Sequence, residues 1–261
     1  MSNCAIVGIN WGDEGKGRMV DLIARDYDIV CRYQGGNNAG HTIVNEYGKF
    51  ALHLIPSGIC LPGVVNVLGN GVVIDLESLC GEIEALQNAG VPITPENFKI
   101  SERATIVFPY HRALDGLEEA RLKDKKYGST LRGIAPVYSD KYQKKTIMMG
   151  ELLYPAYLEK RLASILEWKN LTLEKVYGAK GYTWRGAANS ARSLRLTSAI
   201  PASTSMRLKR PARASCSRPS SARCATLTSA FSRIPRPLPP MRAMPASAQA
   251  SPAAMSTARS A

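Results

Sequence analysis

Residues 4–42, CAIVGINWGDEGKGRMVDLIARDYDIVCRYQGGNNAGHT, decide the fold of this chain. The apolar run at residues 4–9 has the length and the branched side chains of a buried strand, and residues 19–25 predict a helix. A turn rich in glycine separates the two. Strand, glycine turn and helix together present backbone N–H groups and a helix N-terminus, an arrangement that binds phosphate.

The turn at residues 12–17 reads GDEGKG. Gly12, Gly15 and Gly17 lack the side chains that would keep the backbone away from an anion, and Lys16 adds a positive charge. The spacing departs from the common phosphate loop, G-x-x-x-x-G-K-[ST], because the first glycine and the final hydroxyl residue are both missing. An ordinary glycine-rich turn is therefore the alternative to a phosphate site.

Two carboxylates, Asp13 and Glu14, are unexpected in a phosphate cradle because bare carboxylates repel phosphate. Either Mg²⁺ lies between a carboxylate and the phosphate, or one carboxylate acts as a base on another group. Both alternatives predict chemistry at this turn as well as binding.

A second strand is predicted at residues 27–33, and it runs into the loop QGGNNAGHT at residues 34–42. Ligands bind at the carboxyl ends of strands in an open parallel sheet, so this loop and the first turn should share one crevice. The loop offers backbone donors, the amide of Asn38 and the imidazole of His41. A carboxylate base at Asp13 and a histidine acid suit proton transfer with charge stabilisation, whereas His41 alone would be a surface or hydrogen-bonded histidine.

The remaining pattern predicts further strands and helices around this pair. Strands are expected at residues 50–55, 64–68 and 98–100, with residues 69–71 closing the second of these as a turn. Asp75 should cap a helix, and two more helices are expected at residues 110–126 and 155–169. Residues 127–136 predict a polar loop suited to an anionic ligand. The expected fold is α/β, with a mostly parallel sheet flanked by helices.

Five motifs in order resemble the first part of the adenylosuccinate synthetase family. They are GDEGKG at 12–17, QGGNNAGHT at 34–42, HLIPSG at 53–58, GNGVV at 69–73 and RGIAP at 132–136. The resemblance covers residues 4 to about 180. It implies a P-loop-like nucleotide-binding fold and a cytoplasmic, homodimeric ligase of AMP biosynthesis that joins IMP and L-aspartate at the expense of GTP, with Mg²⁺.

The resemblance also implies roles for individual residues. Asp13 would deprotonate N1 of IMP and bind Mg²⁺ together with the carbonyl of Gly40, and His41 would stabilise the phosphoryl group transferred from GTP to the 6-oxygen of IMP. Aspartate would then displace the phosphate. The residues implied to hold the nucleotide cofactor are Gly12, Asp13, Glu14, Gly15, Lys16, Gly17, Arg18, Gly40, His41 and Thr42. Those implied to hold substrate are Asp13, Glu14, Gly15, Lys16, Asn38, Ala39, Gly40, His41, Thr130 and Lys144.

Four residues depart from the family pattern. Arg18 stands where a second lysine is usual, and Leu131 and Ala135 stand where glycine is usual. Lys144 replaces an arginine that reaches the IMP of the neighbouring subunit, so the charge is kept but the bidentate fork is lost.

The charge of +13 lies entirely in one part of the chain. Residues 1–184 hold 21 basic and 21 acidic residues, whereas residues 185–261 hold 13 basic residues and no acidic ones. The tail is rich in Ala, Ser, Arg and Pro, a composition that predicts disorder. It can be a wrong reading frame of a GC-rich gene, which we favour, a basic arm that binds nucleic acid, or a solvated tail without a partner. The expected division is therefore 1–184 and 185–261.

Two further expectations concern activity and compartment. No carboxylate follows Glu174, so nothing later in the chain can recognise guanine as an aspartate would, and we expect an inactive or weakly active, truncated synthetase. A degenerate nucleotide-binding module whose tail binds nucleic acid is the alternative, and a gene product without function is a third. The six cysteines lack metal or C-x-x-C spacing, and no signal peptide or membrane span is found, which indicates a reduced, cytoplasmic protein with buried thiols at Cys4, Cys31 and Cys80.

Overall fold

The computed structural model describes residues 3–9, 14–183, 185–187, 205–206 and 224–228. Its helices are α1 (Lys16–Ile23), α2 (Leu76–Asn88), α3 (Pro109–Leu122), α4 (Ile134–Tyr142) and α5 (Pro155–Leu171). Its strands are β1 (Asn3–Ile6), β2 (Ile29–Gly35), β3 (His41–Asn45), β4 (Gly48–Leu52), β5 (Val65–Asp75), β6 (Phe98–Ser101), β7 (Thr105–Val107), β8 (Ser205–Met206) and β9 (Cys224–Thr228). None of the helices in these ranges is long and apolar enough to cross a membrane.

The strands form a parallel sheet in the order β1-β9-β2-β5-β6-β8, with β7 paired to the far end of β5. The expected α/β class with a mostly parallel sheet is confirmed. Because parallel strands end at the same edge, the loop that follows β1 and the loop that follows β2 open at one side of the sheet. The short antiparallel hairpin β3–β4 lies outside this sheet and begins at His41.

Two segments of the basic tail take part in the sheet. Strand β9 lies between β1 and β2, with Ala225 opposite Cys4 on one side and Val30 on the other, and β8 pairs with β6. Apart from residues 185–187, the rest of the tail lies outside the described residues. The expected disorder of residues 185–261 and the boundary at residue 184 stay predictions.

The helices on the sheet form as their sequence signals predict. The carboxylate of Asp75 caps α2 by accepting a hydrogen bond from the Ser78 amide at 3.4 Å, and Leu79 and Ile83 are fully buried below it. Helix α5 begins at Pro155 and buries Leu162, Ile165 and Leu166. These apolar faces and the strands beneath them form the main core.

Several predicted boundaries are wrong, mostly because glycines act differently from expectation. Strand β1 ends at Ile6, and Val7 and Ile9 are 59% and 92% exposed rather than buried. Helix α1 begins at Lys16 because Gly15 caps it with φ +74°. Strand β5 continues through residues 69–71 up to Asp75.

Two of those glycines explain why β5 is continuous. A Cβ on Gly69 would lie 3.0 Å from the Tyr33 backbone, and one on Gly71 would overlap the Tyr33 carbonyl. They therefore allow β5 to lie close to β2 where the pairing register shifts between Arg32 and Gln34. They do not form a turn.

Other differences are local. Helix α3 ends at Leu122, and the predicted loop at 127–136 is already helical from Ile134, with Pro136 tolerated in the first turn of α4. Cys4, Cys31 and Cys80 are only half-buried, while Cys60 is the buried thiol of the first four. The expectation that those three thiols are buried is wrong; Cys31, for example, points to the face of β2 opposite the buried Val30 and Arg32.

Candidate active site

The N-terminus of α1 is the centre of the predicted phosphate site. Gly15 adopts φ +74° and its carbonyl accepts a hydrogen bond from the Met19 amide at 3.1 Å, which starts the helix at Lys16. The amides of the first turn have no partner within a helix by geometry, and the helix dipole adds partial positive charge there. This end of α1 therefore presents donors to an anion.

Lys16 is buried and its ammonium group pairs with the carboxylate of Glu14. The pair lies against Gly8, because a Cβ at that position would come within 2.8 Å of Glu14 Oε2 and nearer still to Lys16 Nζ. The chain thus needs glycine both before and within the turn. Glu14 balances the charge of Lys16 where a phosphate would otherwise do so.

The imidazole of His41 packs directly on Gly17 of α1. A Cβ added to Gly17 would lie 2.6 Å from His41 Cγ and 2.7 Å from its Cβ, which is closer than real side chains approach. The two glycine-rich motifs therefore meet, as their positions at the ends of parallel strands predict. Arg18 is exposed on α1, and Thr42 is exposed beside His41.

The electrostatic surroundings of His41 keep its ring neutral. Burial, with smaller contributions from the charge of Arg32 and from His53, lowers the pKa of His41 to about 4. Its Nε2 atom is buried and has no hydrogen-bond partner among the described residues. At neutral pH this ring can therefore form a hydrogen bond with a ligand while it is uncharged.

The loop between β2 and β3 is ordered by buried polar contacts. Asn37 is 2% exposed and donates from Nδ2 to Asp75 Oδ2 at 3.1 Å, while its Oδ1 has no partner in the described part of the chain. Asn38 and Ala39 are half-buried beside it. Gly40 packs on His53, since a Cβ there would lie 2.8 Å from His53 Nε2.

The loop before α4 is held by two carboxylates of α3. Asp115 accepts hydrogen bonds from Ser129 Oγ at 2.7 Å and from the Gly133 amide at 2.8 Å, and Glu119 accepts from the Gly128 amide at 3.3 Å. Thr130 is exposed on this ordered loop. Leu131 adopts φ +57°, the left-handed conformation that favours glycine.

Helix α4 joins that loop to the rest of the site. Tyr138 accepts a hydrogen bond from the Gly35 amide at 2.8 Å and donates to the Gly71 carbonyl at 2.9 Å. Ile134 packs on Gly36, where a Cβ would lie 2.6 Å from its Cδ1. The helix start is therefore placed against the loop that carries Asn38 and His41.

Some predicted site residues are not brought together. Gly12 and Asp13 lie outside the described residues, so the proposed metal ligands Asp13 and Gly40 are placed only in part. Lys144 is exposed and lies beyond Tyr142, the far end of α4, which is roughly 12 Å along the helix from Ile134. Among the described residues, no three His, Cys, Asp or Glu side chains converge in a group that could hold a metal.

Sequence reasoning missed several residues that order the site, notably Arg32, Glu82, Asp115 and Tyr138. Glu82 is buried on the otherwise apolar face of α2, and the helical spacing of the sequence already places it on that face. Arg32 likewise interrupts a buried strand. Charged residues at core positions are rarely buried without partners, so both positions indicate a polar contact.

Comparison with known proteins decides the family. The family model described as adenylosuccinate synthetase matches residues 5–206. The chain belongs to the adenylosuccinate synthetase family. The match includes all five motifs and extends beyond residue 180, where the resemblance was expected to end.

Individual synthetases agree with this assignment. The chain is 47% identical over 184 residues to adenylosuccinate synthetase of Clostridium acetobutylicum, covering 70% of this chain and 43% of that protein. It is 51% identical over 175 residues to that of Dehalococcoides mccartyi, covering 67% of this chain and 41% of that protein. The structure of fully ligated adenylosuccinate synthetase from Plasmodium falciparum superposes with a TM-score of 0.64 at 35% identity, over 76% of this chain and 46% of that one. The chain thus spans less than half the length of these synthetases.

Proposed function

We propose that this chain holds the phosphoryl-transfer centre of adenylosuccinate synthesis, in which IMP and L-aspartate are joined at the expense of GTP. The observation that carries the proposal is the contact of the His41 ring with Gly17 at the N-terminus of α1. It places a neutral hydrogen-bonding ring beside the anion-binding end of a helix. Phosphoryl transfer depends mainly on positioning and electrostatic stabilisation, which this pair supplies.

The N-terminus of α1 suits the phosphates of GTP. The backbone amides of Gly15, Lys16 and Gly17 approach an anion without side-chain hindrance, and Lys16 and Arg18 supply positive charge. Gly12, Glu14, Gly40 and Thr42 complete the set that we assign to the nucleotide. Phosphate binding would draw Lys16 away from Glu14, because a phosphate carries more negative charge than one carboxylate.

His41 acts on the group in transfer by donating a hydrogen bond from its neutral ring. The lowered pKa, about 4, means that a proton is not available from an imidazolium at neutral pH. Asp13 takes the proton from N1 of IMP, whose 6-oxygen then attacks the γ-phosphate of GTP and releases GDP. The amine of L-aspartate afterwards displaces inorganic phosphate from the phosphorylated IMP.

Mg²⁺ is the metal that we propose for this site. The carboxylate of Asp13 and the carbonyl of Gly40 would supply only oxygen donors, which suit a hard cation that keeps several waters. When bound, Mg²⁺ offsets the negative charge of the phosphates. The contact between Gly40 and His53 leaves the glycine without space for a side chain, in keeping with a backbone ligand.

IMP is assigned to the loop before α4 and to the loop between β2 and β3, which packs on the start of α4. Asn38, Ala39 and Thr130 would contact it, and the loop that carries Thr130 is held in place by Asp115. Lys144 lies beyond Tyr142, the last residue of α4, at the opposite end of the helix from Ile134, which packs on Gly36. We therefore propose that it serves the neighbouring subunit of a cytoplasmic homodimer.

The 261-residue chain should bind GTP weakly and form adenylosuccinate only at trace rate, because residues 175–261 hold no Asp or Glu side chain to recognise guanine. Calorimetric titration with GTP and with inorganic triphosphate, each with Mg²⁺, tests the site directly. Similar affinities for both ligands are expected. If neither GTP nor triphosphate binds, the phosphate site is refuted. Rapid adenylosuccinate formation would refute the expected loss of activity.

The basic tail carries a second candidate function, nucleic-acid binding, because the whole net charge of +13 lies in residues 185–261. Such binding weakens steeply with salt as counterions are released. Translation of the other reading frames beyond codon 184 separates this candidate from a frameshift. A frame that continues with acidic residues would exclude the tail from any functional role.

A further inference from the structure

The turn that follows the β3–β4 hairpin is held by two buried groups of opposite charge. Arg32 is 3% exposed, and its Nη1 donates to the carbonyls of His53 and Leu54, the latter at 3.2 Å. Glu82 of α2 accepts from the Leu54 amide at 3.0 Å and from the Ile55 amide at 3.1 Å. One charge therefore binds the carbonyls of the turn and the other binds its amides.

The same guanidinium also holds the loop that leads into the hairpin. Arg32 Nη2 donates to the Gly36 carbonyl at 2.7 Å. Gly36 lies in the loop between β2 and β3, and His53 follows the end of β4. A single side chain from β2 thus fixes both ends of the segment 36–54, in which Gly40 and His41 lie.

The position of His53 connects this arrangement to the site. Its ring packs on Gly40, and its backbone carbonyl is bound by Arg32. His41, next in the chain, packs on Gly17 of α1. Displacement of the turn would therefore move the His53 ring, Gly40 and His41 together relative to the phosphate-binding end of α1.

We propose that Arg32 and Glu82 are positioning residues which clamp the two ends of segment 36–54 and so set Gly40 and His41 against α1. This buried clamp, Arg32 and Glu82, touches no phosphate itself. Its importance for catalysis rests on the proposed function, whereas its effect on the segment does not.

Two apolar side chains in place of Arg32 and Glu82 could fill the same space but could not bind the main-chain groups of the turn. The turn offers carbonyls and amides that lie in the core, and buried polar groups require partners. Burial lowers the pKa of Arg32 to about 10, so the guanidinium stays charged at neutral pH. Hydrogen bonds to charged groups are stronger than those between neutral groups, which favours an ionic clamp over a polar neutral one.

Hydrogen exchange of the full-length chain, followed by mass spectrometry, tests the clamp with Arg32→Met, Arg32→Lys and Glu82→Gln. In Arg32→Met, amides of segments 36–45 and 50–55 should exchange roughly tenfold faster or more, with α2 and α5 much less affected. Arg32→Lys should restore only part of the protection, because one ammonium group cannot replace a fork that reaches three carbonyls. Glu82→Gln should loosen residues 53–56 more than residues 36–41.

Lys169→Met is the matched control. Lys169 is also a buried cation, but it pairs with Asp140 between α4 and α5 and contacts neither segment. Its loss should weaken the whole domain without a preference for the hairpin ends. Uniform acceleration in the Arg32 and Glu82 variants, matching that of Lys169→Met, would overturn the clamp. If Arg32→Met does not fold, Arg32→Lys and Glu82→Gln decide by the same criterion.

Binding of GTP with Mg²⁺ is the second readout and separates this proposal from the proposed function. If the unaltered chain binds GTP, Arg32→Met should weaken binding by about tenfold or more, whereas Lys169→Met should not when compared at temperatures where both variants are folded. If the unaltered chain does not bind GTP, the proposed function fails, and the exchange pattern still decides whether the clamp exists.

Discussion

Two buried ionic groups in this chain use charge in different ways. The clamp binds main-chain carbonyls and amides of a turn, and it does so beside the proposed phosphate site. The second group, which we call the helix cluster, consists of His111, Asp140 and Lys169. Its side chains bind one another and join α3, α4 and α5.

Each side chain of the helix cluster has a hydrogen-bond partner. His111 Nδ1 accepts from the Phe108 amide at 2.8 Å, so its Nε2 carries the proton donated to Asp140 Oδ2 at 3.0 Å. The other oxygen of Asp140 accepts from Lys169. Since these groups hold helices and the clamp holds loops, we expect damage to the first to reduce stability and damage near the second to reduce binding.

Lys169→Met should have the largest effect on stability. The change leaves the carboxylate of Asp140, 1% exposed, without its buried cation, and such losses cost about 3–5 kcal/mol. Urea denaturation followed by circular dichroism measures the free energy of unfolding. Arg121→Met is the control, because the Arg121–Glu118 pair lies on the surface, where water and salt screen it, and its loss should change the free energy of unfolding far less. Equal losses in the two variants would contradict the importance of burial.

Gly17→Ala should produce the opposite result, a loss of binding with little loss of stability. The added Cβ would lie 2.6 Å from His41 Cγ and must displace that ring, so GTP affinity should fall by roughly tenfold or more. Replacing glycine within a helix gains about 1 kcal/mol, which offsets the strain of moving His41.

Gly81→Ala in α2 is the matched control for Gly17→Ala. No heavy atom lies within 4 Å of a Cβ added there, so only the gain in helix propensity should remain. The control should be stabilised and should bind GTP as the unaltered chain does. Unchanged GTP binding by Gly17→Ala would show that the contact between His41 and α1 is not needed.

The parts of the fold that depend on local signals could be predicted from the sequence. The Asp75 cap and the apolar spacing after it define α2, and Pro155 with its following leucines defines α5. The meeting of the two glycine-rich loops followed from the parallel sheet, because strand ends share an edge. These inferences need only spacing and chain direction.

The rest depends on contacts between distant residues. Gly69 and Gly71 look like a turn in the sequence, yet they continue β5 because the Tyr33 backbone approaches them closely. Arg32 has its partners at Gly36 and at His53, and no local pattern links these positions. The pairing of Cys224–Thr228 with β1 and β2 joins segments about 200 residues apart in the chain, which composition alone does not predict.

The pH dependence of stability should distinguish the helix cluster from the segment that the clamp holds, because each contains a histidine whose pKa is lowered by burial, His111 and His41. Burial lowers the pKa of His111 below its ordinary value of 6.5, against the opposing pull of Asp140, so the ring is neutral in the folded chain. As pH falls below 6.5 the unfolded chain takes up this proton first, and stability is lost progressively from there downwards. His41, with a pKa lowered to about 4, contributes with the same sign.

Unfolding of the unaltered chain and of His41→Gln between pH 7.5 and 5 separates the two contributions. In His41→Gln the part due to His41 disappears, and the remaining slope reports mainly the helix cluster. A flat profile in that variant would mean that His111 is not buried in its neutral form.

The smallest predicted effect concerns strain in the loop before α4. Leu131 adopts φ +57° although it is not glycine, and its side chain is 52% exposed, so its removal costs little burial. Leu131→Gly relieves about 1–2 kcal/mol of left-handed strain and costs about 0.5–1 kcal/mol through the freedom of glycine in the unfolded chain. A net gain of roughly 0.5 kcal/mol in the free energy of unfolding is expected. Gly128→Ala is the reverse change, because it puts a side chain on a residue with φ +75°. No heavy atom lies within 4 Å of the added Cβ, so only backbone strain should destabilise the chain. If both variants shifted the free energy of unfolding in the same direction, left-handed backbone strain would not explain the stability of this loop.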